Sequence, residues 1–345
     1  MSVEKLPAPL EYIAWDTQTT GNYSAQLSNL DPTQRLPIAC SGEFEQSLMD
    51  KLARTSSEGQ DWDTDLLCQA AACGHRAVLS WARRKGYSWH PELCSAAACG
   101  GQLDLLRWLR EEGCPWEDSP IYSGTCPSAA EHGHLAILQF ARCDGCPWNE
   151  VTCHRAAHAG QLACLRWARE HGCPWSAETA TFAAYAGNLA LLQWATASGV
   201  PWDEVITSAS AQAGQLNVLK WLFTQTLRPI QWHERTTLVA AQAGHLHVLQ
   251  WARQHGCPWH QSTCAAAAAA GRGDILRWLR EQGCPWGEES CAAAARNGQL
   301  QILQWMHSHG CPWDGETIFE ARQAGHTAIE RWARSQGCPE CTEDY

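Results

Sequence analysis

The hydrophobic and polar positions of this chain recur with a fixed period. Val151–Trp175 shows the repeating unit, which has a Trp near its middle. That Trp returns every 27 residues in two series, Trp167, Trp194 and Trp221, and then Trp251, Trp278, Trp305 and Trp332. Trp81, Trp108 and Phe140 extend the series backwards. A period of this length is typical of solenoids, and the spacing predicts ten units.

Two short helical patterns make up each unit. Gly160 separates them, and Gly172-Cys173-Pro174 ends the second with a helix-stopping Gly and Pro. On a helical wheel, the second pattern spreads its apolar residues over an arc of roughly 220°. One neighbour cannot cover so wide an arc, so the pattern predicts helix pairs that stack on one another. The arc is formed by Leu162, Cys164, Leu165, Trp167 and Ala168.

The first helical pattern has two different faces. Cys153, Ala156 and Ala157 share one face, and small side chains there favour a close approach of neighbouring helices. The residues after each Pro-Trp pair are mostly acidic or cap-forming, which suits the positive end of the helix that follows.

Two insertions interrupt the period. Five extra residues lie within Glu117–Thr125 and three within Thr224–Ile230. Both are predicted to fall between helices, where a loop absorbs extra length at small entropic cost and stacking continues.

The run T-x-H-x-A-A-x-x-G-x-L-x-x-L-x-W-A-R-x-x-G-C resembles the ankyrin repeat. His154 matches the family's His, Ala156-Ala157 its paired Ala, and Gly160 its Gly. Leu162 and Leu165 match its apolar positions, and the resemblance covers about Trp62–Cys338. It implies an all-α, ankyrin-like solenoid of helix pairs.

The departures from the family are systematic. The period is 27 residues instead of the family's 33, Trp replaces a Leu, and G-C-P-W replaces the segment that opens the ankyrin finger. We therefore expect short tight loops in place of the projecting β-hairpin. The chain looks most similar to the divergent, G-C-P-W-rich arrays of unicellular eukaryotes and of the large DNA viruses that infect them.

The resemblance also implies a partner-binding surface. The first helices are expected to line a concave side, where outward positions six, five and two residues before each Gly contact a protein partner. Phe182 and Tyr185 are expected on one exposed stripe, the alternative being that Phe182 fills space beside a shortened loop. The candidate partner-binding residues are Glu131, His154, Arg155, His158, Phe182, Tyr185, Gln212, Gln242 and Arg296.

Charge narrows the class of partner. The net charge is −11, the pI is about 5.7, and no basic cluster exceeds Arg83-Arg84-Lys85. This argues against a nucleic-acid partner, whose binding depends on clustered Lys and Arg. The Trp residues occupy fixed slots of the repeat, so we predict that they belong to the core.

The 19 Cys residues are predicted to be reduced, buried fillers. Met1–Pro9 lacks the apolar stretch of a signal peptide and no run reaches transmembrane length, so we expect a cytoplasmic protein, with the nucleus as an alternative. Equivalent Cys slots of stacked helices lie about 8–10 Å apart, farther than the roughly 7 Å between Cα atoms that a disulfide allows.

The sequence gives little support for a metal site or an active site. The strongest cluster is Cys126, His132, His134, Cys143 and Cys146, but the repeat itself accounts for three of the five. Cys338-x-x-Cys341 is a lone pair, and the sequence has no Gly-rich phosphate loop and no G-x-S-x-G motif. We therefore predict no catalytic residue, no cofactor and no metal ligand.

The ends depart from the repeat. Residues 1–42 have no clear period, and residues 43–62 are predicted to form a degenerate N-terminal cap through Leu48, Leu52 and Ala53. The array spans residues 63–338, and residues 339–345 form a C-terminal tail.

The most direct functional hypothesis is a monomeric, non-catalytic scaffold that binds another protein, with neither nucleic acid nor membrane as its partner. One alternative is a metal- or redox-responsive protein that uses its Cys content. Another is a substrate adaptor that recruits machinery through residues 1–42.

Overall fold

The computed structural model describes residues 42–57, 63–117, 124–225 and 232–340. Within these ranges the chain forms 21 α-helices and no strand. It divides into two compact units, Met1–Thr152 and Cys153–Tyr345, and one helix runs across the division.

The first unit begins with a longer helix and continues with three helix pairs. Its helices are α1 (Gly42–Ser57), α2 (Thr64–Ala72), α3 (Arg76–Arg84), α4 (Glu92–Cys99), α5 (Leu103–Glu111), α6 (Thr125–Glu131) and α7 (Leu135–Cys143). Helix α8 (Glu150–His158) starts in this unit and ends in the next.

The second unit continues the same alternation of first and second helices. Its helices are α9 (Leu162–Glu170), α10 (Ala177–Tyr185), α11 (Leu189–Ala197), α12 (Val205–Gln212), α13 (Leu216–Phe223), α14 (Glu234–Ala243), α15 (Leu246–Gln254), α16 (Gln261–Ala269), α17 (Gly273–Glu281), α18 (Glu288–Arg296), α19 (Leu300–Ser308), α20 (Gly315–Gln323) and α21 (Thr327–Ser335).

Neighbouring first helices pack side by side within each unit. In the first unit α2 contacts α4 and α4 contacts α6, and in the second each first helix from α10 to α18 contacts the next first helix, up to the contact between α18 and α20. The two predicted insertions lie between α5 and α6 and between α13 and α14, mostly outside the described residues, and the first helices on either side of each insertion contact each other. The predicted helix pairs are confirmed.

Glycine ends both helices of a repeat in the same way. Gly160 has φ +73° and Gly172 has φ +82°, a left-handed conformation that strains any residue with a Cβ. In each turn the following N–H reaches back five residues, from Gln161 to the Ala156 carbonyl at 2.8 Å and from Cys173 to the Ala168 carbonyl at 2.9 Å. These bonds satisfy carbonyls that the helix end would leave unpaired.

The first helices begin at side-chain caps. Ser176 precedes α10 and forms a reciprocal capping box with Thr179. Asn149 and Asp203 accept hydrogen bonds from the backbone N–H two residues on, at 3.1 and 3.0 Å. The cap-forming residues after the Pro-Trp pairs thus have the predicted role at these positions.

The core consists of small and aliphatic side chains. Ala156, Ala157, Leu165 and Ala168 are fully buried, as the repeat pattern predicts. The prediction that the Trp residues belong to the core is confirmed only in part. Among the central Trp residues of the repeats, Trp108 is buried and the others are half-buried. Of these, Trp332 packs against a cluster of buried residues. An indole is too large for the close contact that Ala permits, so its outer edge stays at the surface.

Arginine stacks on a second Trp of the repeat, which lies eight residues after the central one. The Arg169 guanidinium lies 4.1 Å from the centre of the Trp175 ring, and its Nη1 donates to the Cys173 carbonyl at 2.7 Å. Trp175 in turn meets the edge of Trp194, with ring centres 6.0 Å apart. This stacking explains why Arg so often stands two residues after the central Trp, and it recurs at Arg83–Trp89, Arg110–Trp116, Arg142–Trp148, Arg253–Trp259 and Arg280–Trp286.

Helix α1 packs on the first pair of the first unit. It contacts α2 and α3 and buries Leu48 and Leu52, whereas Ala53 is exposed. Residues 1–41 and 341–345 lie outside the described residues, as do the predictions made for them. Among the described helices, none combines the length and the apolar character needed to cross a membrane.

Candidate partner-binding surface

One polar side chain per repeat fixes the register between neighbouring first helices. In the second unit, Asn188 Nδ2 donates to the carbonyls of Ala157 and His158, both at 3.1 Å. Gln215 Nε2 donates to the Tyr185 carbonyl at 3.2 Å in the same way. Each of these donors directly follows the Gly that ends its own first helix, and it caps the first helix of the repeat before.

This capping places one helix position in a row across the second unit. The row contains the residue two before each Gly, and we call it the first-helix row. All of its members are half-buried or exposed. They are His158, Tyr185, Gln212, Gln242, Ala269, Arg296 and Gln323.

The largest side chains of the row stand next to each other. The rings of His158 and Tyr185 stack with centres 6.2 Å apart and planes 22° apart. Arg155 lies partly exposed one helical turn before His158. Gln212 adds a buried Oε1 for which the described residues supply no hydrogen-bond donor. This part of the row therefore offers aromatic, cationic and amide groups together.

Two of the predicted site residues lie below the row instead of on it. His154 is 4% exposed and Phe182 is 8% exposed. The Phe182 ring packs 5.5 Å from the His154 ring and 6.1 Å from the His158 ring. The expectation of an exposed stripe is wrong for both, because the small residues of the first helices bring these helices so close that the side chains of His154 and Phe182 are covered. Phe182 supports His158 from beneath.

The buried His154 lies near Ser176 and the exposed Glu178, three residue types that also occur in catalytic triads, but their geometry differs from that of a triad. Its Nε2 lies 3.0 Å from Ser176 Oγ, while its Nδ1 lies 3.6 Å from Glu178 Oε2, beyond hydrogen-bonding distance. Ser176 Oγ already accepts the backbone N–H of Thr179 as a helix cap. Burial lowers the pKa of His154 from 6.5 to about 4, so the imidazole is a poor base at neutral pH. These contacts hold α10 against α8.

Arg296 is engaged by the neighbouring first helix. Its Nε donates to Glu320 Oε2 at 2.6 Å and its Nη2 to the other carboxylate oxygen. The guanidinium lowers the pKa of the Glu320 carboxyl through this paired contact. Arg296 therefore links α18 to α20, and it stands apart from the His158–Tyr185 part of the row.

The two remaining candidates are at the surface. Gln242 is exposed near the end of α14 in the second unit. Glu131 is half-buried at the end of α6 in the first unit, where it holds the equivalent position.

The Cys and His residues of the predicted metal-like cluster make contacts of another kind. His132 Nε2 lies 3.4 Å from Cys99 Sγ, and His134 Nε2 lies 3.2 Å from the Cys99 carbonyl oxygen. Among the described residues, no group of three or more His, Cys, Asp or Glu side chains is arranged to hold a metal ion. Cys341 lies outside the described residues.

The chain matches no protein-family model and no curated protein. Its class, an all-helical array of repeated helix pairs, rests on the internal repeat and on the packing within each unit.

Proposed function

We propose that this protein is a non-catalytic interaction scaffold of the ankyrin type, which binds an intracellular protein partner through the first-helix row. The observation that carries the proposal is the row itself. It is a series of unrepeated, solvent-facing side chains held in register by repeated, buried ones.

The contrast between repeated and unrepeated positions supports this proposal. The positions of Ala156, Ala157 and Leu165 keep the same kind of residue from repeat to repeat because they are buried. In the first-helix row, by contrast, His, Tyr, Gln, Gln, Ala, Arg and Gln follow one another. Stacking alone does not require this variety at solvent-facing positions, whereas recognition of a partner does.

The chemistry of the row fits a protein partner. Aromatic and Arg side chains are the usual anchors of protein interfaces. His158 and Tyr185 of the row stack on each other, and Arg155 lies one helical turn before His158, beside the row. The stacked rings lose little conformational freedom on binding because Phe182 already supports them from below.

Affinity capture from the native cell tests the proposal. The test variant carries Arg155→Ala, His158→Ala and Tyr185→Ala, and leaves the buried Phe182 in place. The control variant changes three exposed residues of second helices, Arg166→Ala, Gln193→Ala and Lys220→Ala. Circular dichroism first establishes that both variants have the helix content of the wild type.

We expect wild type and control to capture the same partner and the test variant to lose it. Equal capture by all three proteins would exclude this part of the row as the binding site. Loss with the control variant alone would assign binding to the second helices.

A further inference from the structure

Each of several repeats contains two cysteines that meet in its interior. Cys94 lies in α4, Cys114 lies in the loop after α5, and both are fully buried. Their Sγ atoms are 3.5 Å apart. The two positions belong to one repeat, so this contact differs from any pairing between equivalent positions of stacked repeats.

The same contact recurs along the chain. A hydrogen bond between the two thiols also joins Cys153 to Cys173, Cys264 to Cys284 and Cys291 to Cys311. All of these residues are less than a twentieth exposed. Cys126 and Cys146 occupy the same two positions of their repeat.

One repeat provides an internal comparison. Thr237 replaces the first cysteine, and its Oγ1 donates to the Pro258 carbonyl at 3.0 Å, beside Cys257. Cys94 Sγ makes the equivalent contact with the Pro115 carbonyl at 3.8 Å. Because a hydroxyl serves the same packing role, the repeat does not need a second thiol at this position for its fold.

We propose that these within-repeat pairs are sites of oxidative modification, at which hydrogen peroxide converts two buried thiols into one disulfide. This inference is independent of partner binding.

One molecule of hydrogen peroxide oxidises one pair of thiols. The thiolate of one cysteine attacks a peroxide oxygen, so that an S–O bond forms and the O–O bond breaks. The departing hydroxide takes a proton and leaves as water. The second sulfur then attacks the first, an S–S bond forms, the S–O bond breaks, and a second water leaves. Two electrons pass from the sulfur pair to the peroxide.

The contact between the thiols distinguishes the two sulfurs of the Cys264–Cys284 pair. The neighbouring Cys284 thiol lowers the pKa of Cys264. The contact with Cys264, together with burial, raises the pKa of Cys284. In this pair Cys264 therefore serves as the nucleophile, while Cys284 keeps its proton until the second step.

The route for a small oxidant is short. Cys114, Cys173 and Cys284 are each followed by an exposed proline in the loop that covers them. We expect a small oxidant to reach the sulfur when this loop opens.

Peptide mapping tests the proposal on the full-length protein. The reduced native protein is treated with hydrogen peroxide and then unfolded in urea that contains N-ethylmaleimide, so that every remaining thiol is blocked. It is digested without reduction, and its cross-linked peptides are identified by mass spectrometry. We expect linkages between Cys94 and Cys114 and between the equivalent pairs, each with the loss of two hydrogens. Cys257 is expected to stay blocked as a free thiol because its partner position is Thr237.

A variant removes one linkage at a time. Cys94→Thr copies the natural residue at Thr237, so it keeps the packing and abolishes only the linkage to Cys114. The proposal is overturned if both thiols of each pair are recovered blocked while the exposed Cys143 is oxidised. It is equally overturned if these cysteines become sulfinic acids, or if the linkages join different repeats.

Discussion

The substitution Gly160→Ala tests the interlocking of successive first helices. A Cβ built on Gly160 would lie 2.9 Å from Asn188 Oδ1 and 3.1 Å from Nδ2. The Asn188 side chain has to shift to avoid this contact, and we expect the shift to break its two hydrogen bonds to the Ala157 and His158 carbonyls. The variant therefore breaks the cap that one repeat places on the helix before it.

The same repeat contains a matched control. Gly172 ends the second helix with a similar φ, +82° against +73° for Gly160, but nothing lies within 4 Å of its Cβ position. Gly172→Ala therefore has only the backbone strain, about 1 kcal/mol after the smaller entropy of the unfolded Ala chain is counted. Gly160→Ala has this strain and also loses two hydrogen bonds at about 1 kcal/mol each, giving a destabilisation of about 3 kcal/mol.

Urea unfolding followed by circular dichroism measures both losses of stability, and hydrogen exchange at residues 150–160 locates them. In an Asn188→Ala background, Gly160→Ala should cost no more than Gly172→Ala, because the side chain in its way is gone. Equal losses for the two glycine variants in the wild-type background would refute the proposed capping between repeats.

Two further predictions follow from single contacts. Burial lowers the pKa of His154 to about 4, so its contribution to the free energy of unfolding is fully present above pH 6.5 and decreases by about 3 kcal/mol as the pH drops towards 4. Urea unfolding measured across this pH range should show this decrease in the wild type and not in His154→Phe. Arg169→Ala loses the stack on Trp175 and the hydrogen bond to the Cys173 carbonyl, so it should lower the free energy of unfolding in urea by about 1–2 kcal/mol. Arg166 is exposed and lies 5.3 Å from the Trp194 ring centre, so Arg166→Ala should lower it by less than about 1 kcal/mol. Equal losses for the two variants would contradict the roles assigned to these arginines.

The helix pairs were predictable because the sequence repeats the signals that end helices. Gly160 and Gly172 stop both helices of their repeat, and the same spacing recurs along the chain. The two insertions were predictable for the same reason, since a change in the period shows where the loop is longer.

The burial of the Trp residues was predicted only in part, because periodicity assigns a side chain to a face of the helix but does not give its depth. Trp167 is half-buried and stacks on His171, whereas Ala168 and Leu165 beside it are fully buried. Phe182 shows the reverse error, since close first helices cover a side chain that the helical wheel assigns to the outer face.

The contacts of the capping side chains and of the paired thiols could not be predicted from the sequence, because the two partners of each contact are far apart along the chain. The residue after each first-helix Gly is a hydrogen-bond donor, such as Asn188 or Gln215, but its acceptor lies about thirty residues earlier. Cys94 and Cys114 are likewise separated by 20 residues, and comparison of equivalent slots in different repeats misses a contact between two slots of one repeat.

The most direct test of the proposed binding role is photo-crosslinking in the native cell. A benzophenone amino acid is placed at Tyr185 or at Gln212 in the first-helix row, or at the exposed positions Gln193 and Lys220 of second helices as controls. If the row is the binding surface, irradiation should attach one protein of constant mass at Tyr185 and at Gln212, and none at either control. Attachment at the controls and not in the row would contradict the account.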